Sequence, residues 1–300
     1  MTIRAFVTGG GGFAGRHLVA RLEELGRTVV APSHADLELR DAEAVRLAVA
    51  AAEPDEVFHL AALASVHRSW EEPRETVVGN VELTVNLLEA VRHGAPSARV
   101  LYASSGEVYG RPDRLPLDEG APLRPQNPYA TSKAAGDLLA AQYTDSFGMH
   151  VVRTRAFNHA GPGQSDEYVL GTLARQVAEA EKGGAGEVVL RTGNPDSRRD
   201  FTDVRDVVAA YVAALEQEPG AYNVCSGRSA SVRELVELVG AAAQLPVRHE
   251  IDEERVRAHD VPEIRGSAER LHAATGWTPE IPLGQTVADA LAWWRARLRG

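Results

Sequence analysis

The chain has 300 residues, 44% of them hydrophobic, with a formal net charge of −10. It is long enough to bury one large α/β core or two intimate domains, and too apolar for a disordered chain. The negative charge argues against a nucleic-acid or anionic-membrane surface, because a polyanion is repelled at long range. The lone Cys225 excludes an internal disulfide framework, there is no Asn-x-Ser/Thr sequon, and ten histidines fall without metal-ligand spacing. Met1-Thr2-Ile3-Arg4 leads straight into a strand-like segment, and no apolar run approaches the roughly 20 residues of a membrane span. The expectation is a cytoplasmic protein that holds no metal and engages neither nucleic acid nor membrane.

Through the first half, short β-branched or apolar runs alternate with helical patterns, as in a parallel sheet with helices on both faces. Strands are predicted at Ala5–Thr8, Thr28–Ala31, Asp36–Leu39, Glu56–Leu60, Arg99–Ser104 and near His150–Ala156. Helices begin at Phe13 and Asp41, span about Pro73 to His93, and run from Tyr129 to Phe147. After Phe157 the pattern loosens into Gly161-Pro162-Gly163, a helix near Glu167–Lys182, a break at Gly183–Gly186 and a strand Val188–Arg191. A helix from Asp203 and a strand Ala221–Cys225 return to the first lobe before Val232–Ala243 helps complete the second. The predicted fold is α/β, a Rossmann-type doubly wound parallel sheet formed by residues 1–157 plus about 203–226. A smaller C-terminal substrate-binding lobe takes residues 158–202 and 227–300. Trp293-Trp294, in an amphipathic terminal helix, reads as an anchor for that helix.

Thr8-Gly9-Gly10-Gly11-Gly12-Phe13-Ala14-Gly15 follows the first strand and opens a helix, the context of a dinucleotide phosphate loop. Gly9 permits the tight turn, Gly12 lets the backbone approach a pyrophosphate, and Gly15 lets helix and strand pack closely. Phe13 and Ala14 complete the cofactor-facing turn, whose helix N-terminus favours an anion. The acidic residue that would grip an adenosine ribose is missing where the second strand ends, at Ala31-Pro32-Ser33-His34. No arginine follows closely enough to clamp a 2′-phosphate, so NAD(H) and NADP(H) both stay open.

Thirty arginines and two lysines make up the basic residues, yet Lys133 lies four residues after Tyr129. On a helix both side chains share one face. A compact ammonium can bind a ribose and tune a phenol, tasks a guanidinium suits poorly. Bringing a phenol from about 10 to about 7 takes roughly 4 kcal/mol of phenolate stabilisation, for which the Lys133 charge and a cationic nicotinamide are sources. Ser104-Ser105-Gly106-Glu107-Val108-Tyr109-Gly110 ends the fifth predicted strand at the carboxyl edge, where open α/β sheets bind ligands. Ser105 is placed to hydrogen-bond the reacting oxygen, and Glu107 is a candidate base.

This loop, the strand-end serine and Tyr-x-x-x-Lys, with His59-Leu60-Ala61-Ala62 and Asn80, resemble the extended short-chain dehydrogenase/reductase superfamily of nucleotide-sugar enzymes. The resemblance implies that Leu60, Ala61 and Ala62 line the cofactor and that Asn80 is mainly structural. Glu38-Leu39-Arg40-Asp41 resembles the pattern whose first pair touches adenine, with glutamate in place of the usual aspartate. It further implies a homodimer formed through the helices near Pro73–His93 and Tyr129–Phe147. Four later segments narrow it: Phe157-Asn158-His159-Ala160-Gly161-Pro162-Gly163-Gln164, Arg199-Asp200-Phe201-Thr202-Asp203-Val204-Arg205-Asp206, Tyr222-Asn223-Val224-Cys225-Ser226-Gly227 and Arg257-Ala258-His259-Asp260-Val261-Pro262. Together they are similar to the family of reductases that act on GDP-linked 4-keto-6-deoxy sugars. Arg199 and Arg257 would clamp the diphosphate and Asn158 would donate to it, while Asp200 and Asp203 could instead organise loops or cap a helix. The expected reaction is NAD(P)H-dependent reduction of the sugar C4 ketone. The alternatives are a sugar-nucleotide dehydratase, which Glu107 allows and the bare Gly106 disfavours, a 4-epimerase, and a non-catalytic cofactor sensor.

Overall fold

The computed structural model describes residues 2–253 and 261–299. In chain order the elements are β1 (Arg4–Thr8), α1 (Phe13–Glu24), β2 (Thr28–Val30), α2 (Ala42–Ala52), β3 (Glu56–His59), α3 (Val66–Glu71), α4 (Pro73–Gly94) and β4 (Arg99–Ser105). A 3₁₀ turn (Gly106–Tyr109) precedes α5 (Pro128–Phe147), β5 (Val151–Ala156), β6 (Asn158–Ala160), α6 (Val169–Lys182), β7 (Val188–Thr192) and β8 (Arg198–Asp203). The remainder is α7 (Val204–Leu215), β9 (Gly220–Val224), β10 (Ser229–Ser231), α8 (Val232–Ala242), β11 (Val247–Ile251), β12 (Glu263–Ile264), α9 (Glu269–Thr275) and α10 (Leu283–Arg299).

Among the described residues the central sheet runs β2-β1-β3-β4-β5-β9, every neighbouring pair parallel. Its strands are apolar on both faces because both are covered. Val7, Phe58, Leu101 and Val152 pack with α1 and α7 through Leu18, Leu22, Val207 and Tyr211. Their neighbours Phe6, Val57, Val100 and Val151 point the other way, onto Val45 and Val49 of α2 and Leu87 and Val91 of α4. The period of two along each strand thus fixes the register.

The segment Asp36–Leu39, predicted as a strand, forms a turn instead. The Asp36 carboxylate accepts from Ser33 N (3.0 Å) and Ser33 Oγ (2.6 Å), and Leu37 N donates to Ser33 O (3.0 Å). Leu37 is buried and Leu39 partly buried in the α2–α4 core, so their alternation reports burial without strand pairing. Helix starts follow local chemistry. Asp41 caps α2, accepting from Glu43 N and Ala44 N, and Asn127 caps α5 with Pro128 in the first turn.

Beyond the central sheet, β8 pairs with β6, β10 and β12, and β7 pairs with β11. Leu173 and Val177 of α6, Leu235 and Val239 of α8, and Leu291 of α10 share one core. Trp294 is buried there, edge-on to the partly buried Trp293 at 5.1 Å, so the pair does anchor α10. Asp200 and Asp203 organise this region. Asp200 accepts from Ser226 N (2.8 Å), Ser226 Oγ (2.6 Å) and Gly227 N (3.0 Å), while Asp203 caps α7 and pairs with Arg205. No described helix is long and apolar enough to cross a membrane.

Candidate active site

Because β2 and β3 flank β1 on opposite sides, the carboxyl ends of β1 and β3 open a crevice at the switch in strand order. The glycine loop fills its floor. Gly9 has φ +75°, and a Cβ there would lie 2.7 Å from Ala61 N. A Cβ on Gly15 would lie 2.0 Å from Gly9 O, so the loop and α1 touch backbone to backbone. Gly12 N donates to Gly9 O (3.0 Å), closing the turn. Gly12, the N-cap of α1, has no side chain to satisfy the first-turn N–H groups. Those donors and the helix dipole fit a pyrophosphate.

The loop opens into a cavity of about 410 Å³. Gly9, Gly12, Phe13, Ala14 and Gly15 line one wall, and Leu60, Ala61 and Ala62 another. Ser105, Glu107, Tyr129 and Lys133 line it too. All these predicted positions therefore meet in one place. Glu38 and Leu39 are not among the lining residues: Glu38 Oε1 accepts from Arg40 N (3.0 Å) and Leu39 turns to the core.

Helix α5 presents Tyr129 and Lys133 to this cavity on one face. The Ser132 hydroxyl, which donates to Tyr129 O (2.7 Å), accepts from Asn80 Nδ2 (2.8 Å). Asn80 also grips Leu63 N and O, so the residue implied to be structural ties α5 to the loop after β3. Two turns beyond Tyr129, the fully buried Asp137 takes two hydrogen bonds from Arg155 (both 2.9 Å) and one from Arg153 (3.0 Å), fixing α5 against β5.

Ser105 ends β4. Its Oγ accepts from Glu107 N (3.2 Å), which leaves the hydroxyl proton to donate, and it lines the same cavity as the Tyr129 phenol. Burial raises the Tyr129 pKa above the usual phenol range, the field of Tyr168 adds to this, and Ser105 opposes it. Glu107 Oε2 accepts from Asn127 Nδ2 (3.2 Å), so the α5 cap also orients the carboxylate. Lys133 is buried and donates to Ala103 O (2.8 Å), one of the three donors an ammonium carries. Burial pushes its pKa down to about 8.

The lowered lysine pKa has a sign that can be checked without substrate. Between about pH 8 and 10.5 the unfolded chain keeps the Lys133 proton and the folded one releases it. Stability contributed by this group therefore rises with pH, by up to about 1.4 kcal/mol per pH unit. Urea unfolding of the cofactor-free protein is expected to show this rise relative to Lys133→Met. Parallel pH profiles for the two proteins would contradict it.

Asn158, exposed on β6, also lines the cavity, with Phe157 and His159. The His159 ring stacks on Phe13 at 5.8 Å, joining the phosphate loop to β6. Arg199 is not among the lining residues; its Nη1 donates to Arg198 O (2.9 Å) and Val261 O (2.8 Å). Arg257 lies outside the described residues.

Sequence reasoning missed Tyr168, which lines the cavity with Tyr129 and Glu107. It was expected inside a helix starting near Glu167. The helix starts at Val169, and Tyr168 is its extended N-cap residue, φ −108° and ψ 147°. The signal was weak, because nothing at this position is a customary cap.

Comparison with known proteins agrees with this geometry. A family model described as GDP-mannose 4,6 dehydratase matches residues 31–290. The GDP-6-deoxy-D-mannose reductase of Pseudomonas aeruginosa is 40% identical over 100% of this chain and 99% of the relative. The UDP-glucose 4-epimerase of Streptomyces lividans is 31% identical over 100% of this chain and 98% of the relative. Among solved structures, RMD from Pseudomonas aeruginosa complexed with NADPH superposes with a TM-score of 0.89 at 38% identity, covering 99% of each chain. The UDP-glucose 4-epimerase of Thermus thermophilus complexed with NAD gives 0.86 at 30%, covering 98% of this chain and 99% of that one. The chain belongs to the GDP-mannose 4,6-dehydratase family, within the extended short-chain dehydrogenase/reductase superfamily.

Proposed function

We propose that this protein reduces the C4 ketone of GDP-4-keto-6-deoxy-D-mannose to give GDP-D-rhamnose, using NADPH or NADH. The observation that carries this reading is that Tyr129, Ser105 and Lys133, the last one turn on from Tyr129, line one cavity with the glycine loop. The full-length similarity to a GDP-6-deoxy-D-mannose reductase supports the substrate. Gly9, Gly12, Phe13, Ala14 and Gly15 would hold the cofactor pyrophosphate, Leu60, Ala61 and Ala62 its inner flank, and Lys133 its nicotinamide ribose. Glu38 and Leu39 would meet adenine only through a rearrangement of the turn that now occupies them. When bound, a reduced nicotinamide supplies the hydride.

The chain's own groups handle the proton. Tyr129 donates to the oxygen developing on C4, and Ser105, free to donate, orients that oxygen. The Lys133 ammonium stabilises the phenolate left behind. Asn158 and Arg257 would serve the nucleotide diphosphate, and Arg199 would join them only by leaving the Arg198 and Val261 carbonyls, with residues 158–202 and 227–300 as the sugar-nucleotide lobe and 1–157 plus about 203–226 as the cofactor lobe. The acid expected on an NAD ribose remains absent. Asp36, just past the second strand, has its carboxylate engaged by Ser33. A homodimer through α4 and α5 is part of this proposal, supported by the exposed Val78, Leu138 and Phe147 on those helices. A cytoplasmic location is part of it too, in keeping with a single, unpaired cysteine.

A second reading, 4,6-dehydration, is favoured by the matching family model and by Glu107 as a base. It lacks an acid for the leaving hydroxide, because Gly106 has no side chain and a Cβ there would sit 3.0 Å from the Phe157 ring. The test is incubation with GDP-4-keto-6-deoxy-D-mannose and each cofactor, following absorbance at 340 nm and identifying the sugar. Cofactor oxidation with formation of GDP-D-rhamnose is expected. Conversion of GDP-mannose to a 4-keto product without added reductant would favour dehydration.

A further inference from the structure

We propose that Tyr168 reads the sugar, hydrogen-bonding a pyranose hydroxyl through its phenol; this rests on the nucleotide-sugar reading above. The phenol stands at the N-terminus of α6, and its Oη donates to Ala64 O at 3.5 Å, joining segments 104 residues apart. It is 39% exposed and lines the same cavity as Tyr129 and Glu107.

Both ends of this span are fixed. Tyr168 N donates to Ser165 O (3.3 Å), and Tyr168 O accepts from Thr172 N (2.8 Å) and Thr172 Oγ1 (3.0 Å). Asp166, two residues earlier, is paired to Arg175. On the far side, Asn80 holds both backbone groups of Leu63, next to Ala64. The backbone at both ends of this contact is therefore set before a ligand arrives.

Donor and acceptor counting then decides what it can recognise. A phenol has one proton and two lone-pair sites. At 3.5 Å the Ala64 contact is long for an O–H···O bond, so the hydroxyl keeps donor and acceptor capacity for a ligand in the chamber. A ketone cannot donate, and its oxygen is already served by the Tyr129 and Ser105 donors. The partner is therefore a hydroxyl elsewhere on the ring, and Tyr168 separates hydroxylated pyranoses from analogues lacking that group.

The test is Tyr168→Phe, which keeps the ring and removes only the hydroxyl. The expected result is a KM for the 4-keto sugar nucleotide raised about fivefold to tenfold, with kcat and NADPH affinity each within about twofold. Calorimetry supplies a readout without turnover: the variant binds GDP-D-rhamnose more weakly than the unmodified protein, and binds GDP equally well. An unchanged KM, an equal loss for GDP alone, or a loss of NADPH affinity would each overturn the proposal. If the unmodified protein turns over no GDP-4-keto sugar, the reductase reading fails separately. The paired titration with UDP-glucose and UDP then decides the role of Tyr168 by the same criteria.

Discussion

Tyr129→Phe is expected to lower turnover about a thousandfold while leaving NADPH affinity within about threefold, the scale at which a positioned proton donor is lost. The phenol is raised above its usual range by burial, so at neutral pH it holds its proton, as a donor in the reducing direction must. Ser105, whose Oγ is already an acceptor for Glu107 N, is left to share that proton's path. Phenylalanine preserves the ring and the packing of the α5 first turn. Asn127, Ser132 and Asn80 hold that turn through groups the substitution does not touch. Loss of kcat with unchanged cofactor titration is therefore the signature. A variant with full activity would remove Tyr129 from the chemistry.

Gly15→Ala is expected to weaken NADPH binding by about a hundredfold, the scale of losing one or two hydrogen bonds to a charged pyrophosphate. The new Cβ would lie 2.0 Å from Gly9 O and 2.8 Å from Gly10 Cα, all backbone, so no flexible side chain can give way. Either α1 or the loop must move, and the unpaired first-turn N–H groups lose their aim. Gly11→Ala is the control, since a Cβ there meets nothing within 4 Å. It is expected to bind within about threefold of the unmodified protein. Fluorescence titration with NADPH, with far-UV circular dichroism to check folding, separates the two. Equal affinity for both variants would contradict the close-contact account.

Much of the site was legible because its signals are local. The glycine loop sits between a strand and a helix that the continuous stretch 4–24 specifies, and Tyr129 and Lys133 need only one helical turn to share a face. What the sequence concealed depends on distant partners. Leu37 and Leu39 alternate like a strand, but the Ser33–Asp36 turn takes the backbone away from the sheet. Arg199 reads as a diphosphate clamp by its motif, yet Val261, 62 residues on, supplies one of its acceptors. Tyr168 looks like a helix residue until the turn at Ser165 ends the preceding segment, and its partner Ala64 lies on the other side of the cleft. Gly106 illustrates the intermediate case. Its missing side chain is plain in the sequence, whereas the Phe157 ring that crowds the space is brought there by β5.

The central claim is that C4 of the sugar receives hydride from the nicotinamide and its oxygen receives a proton from Tyr129. The most direct measurement uses NADPH deuterated at the transferring position, with GDP-4-keto-6-deoxy-D-mannose, and reads the product by NMR. Stoichiometric deuterium at C4 of GDP-D-rhamnose, matched to cofactor oxidised, is the predicted result. A product without deuterium at C4, or a changed sugar with no net cofactor consumed, would contradict it.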